Sequence, residues 1–267
     1  LLQNTMAKSG TVPFYNGVTT TSARFDGVDN TLTRTLNNST DGSRRKNVWS
    51  FWAKFTLKGT SPNPFFYSKG DGGGVADIIY IRITSYDRLH FIGYIGDSVS
   101  HNIVTTRQFR DSSAWYHIVV AVDTTQATAA NRVCIYVNGV KETAFDTAGY
   151  PGENADLAMN WYSTANAGTT VDMISDYRAS PHEDYRIDGY LAEYHSVDGL
   201  SFFSNTSGAA NSSFNINSFG ETKNGVWIPV AYTGSHGEQG FHLKFDQVGV
   251  GTASTSTIGA DTSGNTN

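Results

Sequence analysis

The feature that most constrains the fold is a two-residue hydrophobic rhythm that recurs along the chain and is cut each time by turn-forming residues. In 48–57, Trp49, Phe51, Ala53, Phe55 and Leu57 fall on one side of an extended backbone. Ser50, Lys54 and Thr56 fall on the other, with Trp52 the exception. Successive side chains of a strand point to opposite faces, so this alternation marks a strand with one face buried. Ile79, Ile81 and Ile83 repeat the pattern, as do Leu89, Phe91 and Ile95. Ile118, Val120 and Val122 do so again, with Val119 and Ala121 making that strand apolar on both faces, as in a central strand covered from both sides. Val133, Ile135 and Val137 lead into Asn138-Gly139, the pair favoured where both turn residues need positive φ, so 133–143 predicts a hairpin. Further strands are expected at 171–175, 187–195, 226–231 and 241–245, with Pro229 marking an edge or a bulge. Helical periodicity is nearly absent, confined to candidate single turns at 125–130 and 200–203. Parallel strands need long crossovers, usually helices. The expected class is therefore all-β, a mainly antiparallel sandwich or barrel with very little helix.

Composition narrows the function. Charged residues make up 16% of the 267 and the net charge is -5, whereas a typical domain is about 25% charged. A sparsely charged acidic chain lacks the basic footprint of a nucleic-acid binder. Aromatic residues at 13% argue against disorder. No apolar run approaches the roughly 18 residues of a membrane-spanning helix, so membrane insertion is not expected. The single cysteine, Cys134, cannot form an internal disulfide or a cysteine-based zinc site. The expected organisation is a polar N-terminal arm over 1–22, one β-sandwich over 23–248, and a flexible Gly-, Ser-, Thr- and Asn-rich connector over 249–267.

Catalytic patterns are sparse. Sandwich-fold glycoside hydrolases need two carboxylates flanking the scissile bond. The pattern Glu-x-Asp-x-Glu does not occur, and Glu193 has no acidic residue at 191 or 195. There is no Gly-x-Ser-x-Gly elbow. His117 and His195 fall in strands and read as sheet histidines with satisfied hydrogen bonds, so no enzyme is expected. Calcium prefers several loop oxygens. Asp71 and Asp77, at the two ends of a glycine-rich stretch, are candidate metal ligands, against the plainer reading of a hairpin connection. No cofactor is required on this reading, and calcium is the candidate ion. Asp26 to Asn30 reads as an Asx-type turn. Trp161, Tyr162, Tyr177 and Arg178 lie in polar stretches and are the candidate sugar contacts. Trp49, Trp115 and Trp227 are flanked by apolar strand residues and read as core.

Several segments together resemble a known group. Ala23-Arg-Phe-Asp-Gly-Val-Asp-Asn30, Trp49-Ser-Phe-Trp-Ala-Lys54, Ala114-Trp-Tyr-His-Ile-Val-Val120, Ile135-Tyr-Val-Asn-Gly-Val140 and Ile187-Asp-Gly-Tyr-Leu-Ala-Glu193 resemble, in order, the strands and turns of laminin-G-like, concanavalin A-like domains. Phe109-Arg-Asp-Ser-Ser-Ala-Trp-Tyr-His117, Tyr150-Pro-Gly-Glu-Asn-Ala-Asp156, Gly225-Val-Trp-Ile-Pro229 and Gly259-Ala-Asp-Thr-Ser-Gly-Asn265 are similar to such proteins of marine tailed bacteriophages. The resemblance implies a jelly-roll sandwich of two antiparallel sheets. It further implies a virion structural or appendage protein, a tail fibre or capsid decoration, present in many copies on the particle surface. Its expected partners are other virion proteins and a host surface polysaccharide. The alternative is a purely structural decoration with protein contacts alone, and a glycan depolymerase ranks behind both.

Overall fold

A computed structural model describes residues 18–19, 21–36, 42–57, 64–70, 77–161, 171–176, 185–203, 215–247, 249 and 257–265. Among them, two seven-stranded sheets face each other as a sandwich. The first contains β1 (Ala23–Asp26), β3 (Lys46–Phe55), β8 (Tyr116–Asp123), β9 (Val133–Val137), β10 (Val140–Lys141), β13 (Asp188–Asp198) and β16 (Phe241–Leu243). Its order is β1-β13-β3-β8-β9-β10, with β16 also on β13. The second contains β2 (Leu32–Thr35), β4 (Phe65–Gly70), β5 (Asp77–Ile83), β6 (Arg88–Ile95), β7 (Ser98–Gln108), β11 (Phe145–Gly149) and β12 (Val171–Ile174), in the order β11-β7-β6-β5-β4-β12-β2. A separate hairpin joins β14 (Gly220–Lys223) to β15 (Val226–Pro229). Every pairing of these strands is antiparallel. Short 3₁₀ turns lie at Ala129–Asn131 and Ile216–Ser218.

The period-2 face of β3 builds the inner core. Trp49, Phe51, Ala53 and Phe55 are all buried. Trp49 meets Tyr67 of β4 at 5.0 Å between ring centroids and Phe91 of β6 at 5.9 Å, which joins the two sheets. Fully burying one such side chain is worth roughly 1.5–3 kcal/mol. The Asn138-Gly139 hairpin forms as its sequence predicts, with φ of 50° and 79° at the two turn residues.

The first sheet is also covered on its outer face. Val48, Val119, Ala121, Cys134 and Val197 are buried there with Phe202 and Phe219. That cover explains why β8 is apolar on both faces. It also explains the exception at Trp52, which is buried and stacks on His117 at 4.8 Å.

Several boundaries differ from expectation. β13 runs to Asp198, three residues beyond 195, because β3 continues beside it. β15 stops at Pro229, at the rim of its two-stranded hairpin. Residues 200–203 form no helix, and the turn expected within 125–130 lies at Ala129–Asn131. Over 257–265 the polar C-terminal stretch is hydrogen-bonded to the sandwich. Thr262 N–H donates to the His242 carbonyl at 2.8 Å, and the Asn265 amide donates to the carbonyls of Gly237 and Gly240, each at 2.7 Å.

Candidate functional site

The site begins with a break in the rhythm of β13. Leu191 and Tyr194 both belong to the inner core, although they are three residues apart. Ala192 pairs with Trp52 and His195 with Ser50, so two residues of β13 oppose the single Phe51 of β3. This is a β-bulge, which re-aims side chains and sharpens the local twist. Its extra residue, Glu193, has φ of 44°, in the left-handed region. The bulge also divides one edge of β13 between two partners. β1 pairs with Asp188–Leu191 before it, and β16 pairs with Tyr194–Ser196 after it.

The change of parity turns His195 outward, directly opposite His242 on β16. Their rings stack at 3.9 Å and 13°. His236, from the loop before β16, lies parallel to His195 at 5.4 Å and 10°, with its Nε2 3.1 Å from His195 Nδ1. Glu193 Oε2 lies 3.0 Å from His242 Nε2 and 3.6 Å from His195 Nε2. Thr262 Oγ1 holds His242 Nδ1 at 3.0 Å. All four clustered residues are buried. Burial pushes the pKa of His195 down to about 3, against the pull of Glu193, and that of His236 down to about 4. Both are therefore neutral near pH 7. Burial raises the pKa of Glu193, but the imidazole groups of His195 and His242 outweigh it and hold the carboxyl below its usual range. Neutral imidazoles beside a carboxylate can pass a proton or hold a divalent cation.

The loop over 230–237 separates two hollows beside this cluster. One, of about 480 Å³, is lined by Asp198, Leu200, Ser218, Tyr232, Thr233 and Ser235. The other, of about 290 Å³, is lined by Glu193, Tyr232, His236, His242, Lys244 and Thr262. Tyr232 stands in both walls. Its ring stacks on Phe219 at 4.9 Å, and its hydroxyl donates to the Ser235 carbonyl at 2.9 Å. Burial raises its pKa to about 12, so it stays a phenol. A half-buried aromatic face ringed by hydroxyl and backbone groups suits a polar ligand with an apolar face.

The residues singled out from sequence do not gather at this place. Trp161 is half-buried, with the Arg44 guanidinium 4.5 Å from its ring centre, which covers one ring face. Asp77 opens β5, and its carboxylate accepts from Gly96 N–H at 3.0 Å, tying the β6–β7 turn to the start of β5. Neither lines either hollow. Tyr162, Tyr177, Arg178 and Asp71 lie outside the described residues. The Asx turn at Asp26 forms, with its carboxylate accepting from Val28 and Asp29. Trp49 is core, but Trp115 and Trp227 are only half-buried. For Trp227 the reason is its place on a hairpin laid over the sandwich. The histidine cluster had no local signal: His236 is 41 residues from His195, and His242 is 49 from Glu193.

Two antiparallel sheets around an aromatic core define a two-layer β-sandwich. Residues 26–170, more than half of the chain, match the Concanavalin A-like lectin/glucanases superfamily (Laminin_G_3), and the chain belongs to it. Solved structures similar to it include a heptameric SAP-like pentraxin from Limulus polyphemus, at 15% identity and a TM-score of 0.44, covering 71% of this chain and 76% of that one. The Ruminococcus gnavus IT-sialidase CBM40 bound to alpha2,3 sialyllactose is 12% identical with a TM-score of 0.36, covering 60% and 88%. Domains LG4-5 of the mouse laminin alpha1 chain are 12% identical with a TM-score of 0.41, covering 71% and 44%, so this chain spans under half of that pair. No curated protein matches the chain.

Proposed function

We propose that this protein is a glycan-binding module of a bacteriophage virion appendage, displayed in many copies on the particle and contacting host surface polysaccharide. The observation that carries the binding half is the pair of hollows sharing Tyr232, on a sandwich of the lectin superfamily. An aromatic ring with the Thr233 and Ser235 hydroxyls beside it offers a sugar both a stacking face and hydrogen bonds. Such a shallow contact is weak singly and gains strength from repetition on one particle. The virion half rests on the ordered resemblance running from Ala23 to Asn265. Neighbouring virion proteins are its other partners, and neither nucleic acid nor a membrane is. Calcium is not required for the contact. The role is binding rather than hydrolysis: the Glu193 carboxylate is engaged by two imidazoles instead of facing a second carboxylate across a cleft.

The test is binding of the full chain to purified host polysaccharides by glycan array and calorimetry. Tyr232→Ala is expected to abolish binding, with Tyr232→Phe close to wild type. Undiminished binding by Tyr232→Ala would remove the hollows from the function. Labelled antibody against the protein, applied to intact particles, should decorate an appendage. Failure to label any virion part would leave binding without its proposed setting.

A further inference from the structure

We propose that His195, His236 and His242 form a binding site for a divalent transition-metal ion of the zinc class, with Glu193 as its carboxylate partner. The site goes beyond the glycan reading and does not depend on it. One ligand atom from each of the three histidines lies within 4.8 Å of the others. The 3.1 Å between His195 Nδ1 and His236 Nε2 is close to the roughly 3.3 Å that separates two nitrogens each about 2.0–2.1 Å from one tetrahedral ion. Glu193 Oε2, 3.0 Å and 3.6 Å from two imidazole nitrogens, supplies the negative charge. Three imidazoles are a donor set suited to zinc and its neighbours rather than to calcium, which prefers oxygen alone, and Glu193, facing the other nitrogen of His195, is an outer hydrogen-bonding partner rather than a ligand.

The surroundings fit a site rather than a chance meeting of rings. The Thr262 hydroxyl fixes the far nitrogen of His242, as hydrogen-bonded outer partners do for metal-binding imidazoles. His236 and His242, with Glu193, reach the wall of the 290 Å³ hollow, which gives an ion a path in from solvent. The only departure from regular strand geometry in β13 is the one that turns Glu193 and His195 toward each other's partners, and it holds Glu193 in a costly left-handed conformation. An ion here would tie together β13, β16 and the 230–237 loop.

The experiment uses untagged full chain, stripped with a chelator and titrated with zinc chloride by calorimetry and by thermal melting. One equivalent of zinc per chain is expected, with a rise in melting temperature. His236→Ala, on the loop, should lower zinc affinity by more than the roughly 10–100-fold that loss of an outer hydrogen-bond partner costs. His101→Gln, in the other sheet, should bind as wild type. Zinc-edge X-ray absorption of the wild-type complex needs no variant: three imidazole nitrogens near 2.0–2.1 Å support the site. No uptake by the wild-type chain, an all-oxygen shell, or undiminished binding by a folded His236→Ala would each overturn it. Polysaccharide binding by the zinc-free protein is measured alongside, so the glycan reading stands or falls separately.

Discussion

The indole N–H of Trp227 donates to Nδ1 of His117 at 2.9 Å. That bond leaves the imidazole proton on Nε2, which faces Ser50 Oγ at 2.9 Å. His117 is buried, and Trp52 stacks on its other side at 4.8 Å. One N–H of the β14–β15 hairpin thus anchors it to the outer face of the first sheet. The Trp227 ring also fills space that only glycine leaves open, since a Cβ at Gly139 would sit 2.5 Å from it.

Trp227→Phe keeps an aromatic ring but strands Nδ1 of His117 in a buried place. The expected cost is about 1–3 kcal/mol, the usual penalty for a buried polar atom left without its partner. Urea denaturation followed by fluorescence and circular dichroism measures it. An unchanged midpoint would mean that the hairpin is held by packing alone.

A second buried arrangement lies in the other sheet. Asp172 on β12 stands across from Arg34 on β2 and next to Lys69 on β4. Its carboxylate accepts from Arg34 Nε at 3.1 Å and pairs with Arg34 Nη2, with Lys69 Nζ at 3.5 Å and the Tyr67 hydroxyl at 2.9 Å. Burial raises its pKa, but the two cations outweigh that and hold it low. Asp172→Asn leaves both cations around a neutral amide and should cost about 3–5 kcal/mol. The double change Asp172→Asn with Lys69→Met should cost less than Asp172→Asn alone. If the two losses simply add, Lys69 and Asp172 are not coupled.

Stability should fall as the solution is acidified from pH 7 to 5. Burial pushes His101 down to about 3, with a smaller push from His90, and pushes His117 down to about 3, with a smaller push from His195. The unfolded chain takes up protons near 6.5, whereas the native chain does not, so acid favours unfolding. Their stabilisation is fully present above about pH 6.5 and is lost as the pH falls toward 3. From pH 7 to 5 the expected loss is about 2 kcal/mol per histidine. The carboxylates of Asp172 and Glu193, held low, titrate below this window. His101→Gln should flatten the dependence by one histidine's share, measured as urea midpoints at the two pH values. Equal slopes for the variant and the wild type would assign the effect elsewhere.

These features differ in how far the sequence announces them. β3 was legible because Trp49, Phe51, Ala53 and Phe55 obey one period over a strand with one core face. The 138–139 turn was legible because its dihedrals demand that residue pair. The outer cover of the first sheet showed only as irregularities, in Trp52 and in the apolar Val119 and Ala121, because the covering segment is remote in sequence. Glu193 and His195 stood out as strand residues, but their meeting with His236 and His242 did not, since its parity depends on one inserted residue at 193 and the partners come from beyond position 230. The docking of 257–265 was hidden because hydrogen bonds from Thr262 and Asn265, rather than apolar side chains, hold that stretch.

The bulge itself can be tested apart from any ligand. Glu193 has φ of 44°, a region that costs an ordinary L-residue roughly 1–2 kcal/mol and glycine almost nothing. Glu193→Gly, Glu193→Ala and Glu193→Val all delete the same carboxylate, so their ranking reads the backbone. Glycine should be the most stable of the three, within about 1 kcal/mol of wild type, because relief of strain offsets lost contacts. Alanine should lie about 1 kcal/mol lower. Valine should be lowest, since a β-branched side chain at positive φ is a steric outlier even where strand propensity favours it. Strand propensity alone predicts the reverse order. Urea midpoints for the three variants therefore decide whether position 193 is an ordinary strand residue or the inserted residue that turns His195 toward His236 and His242.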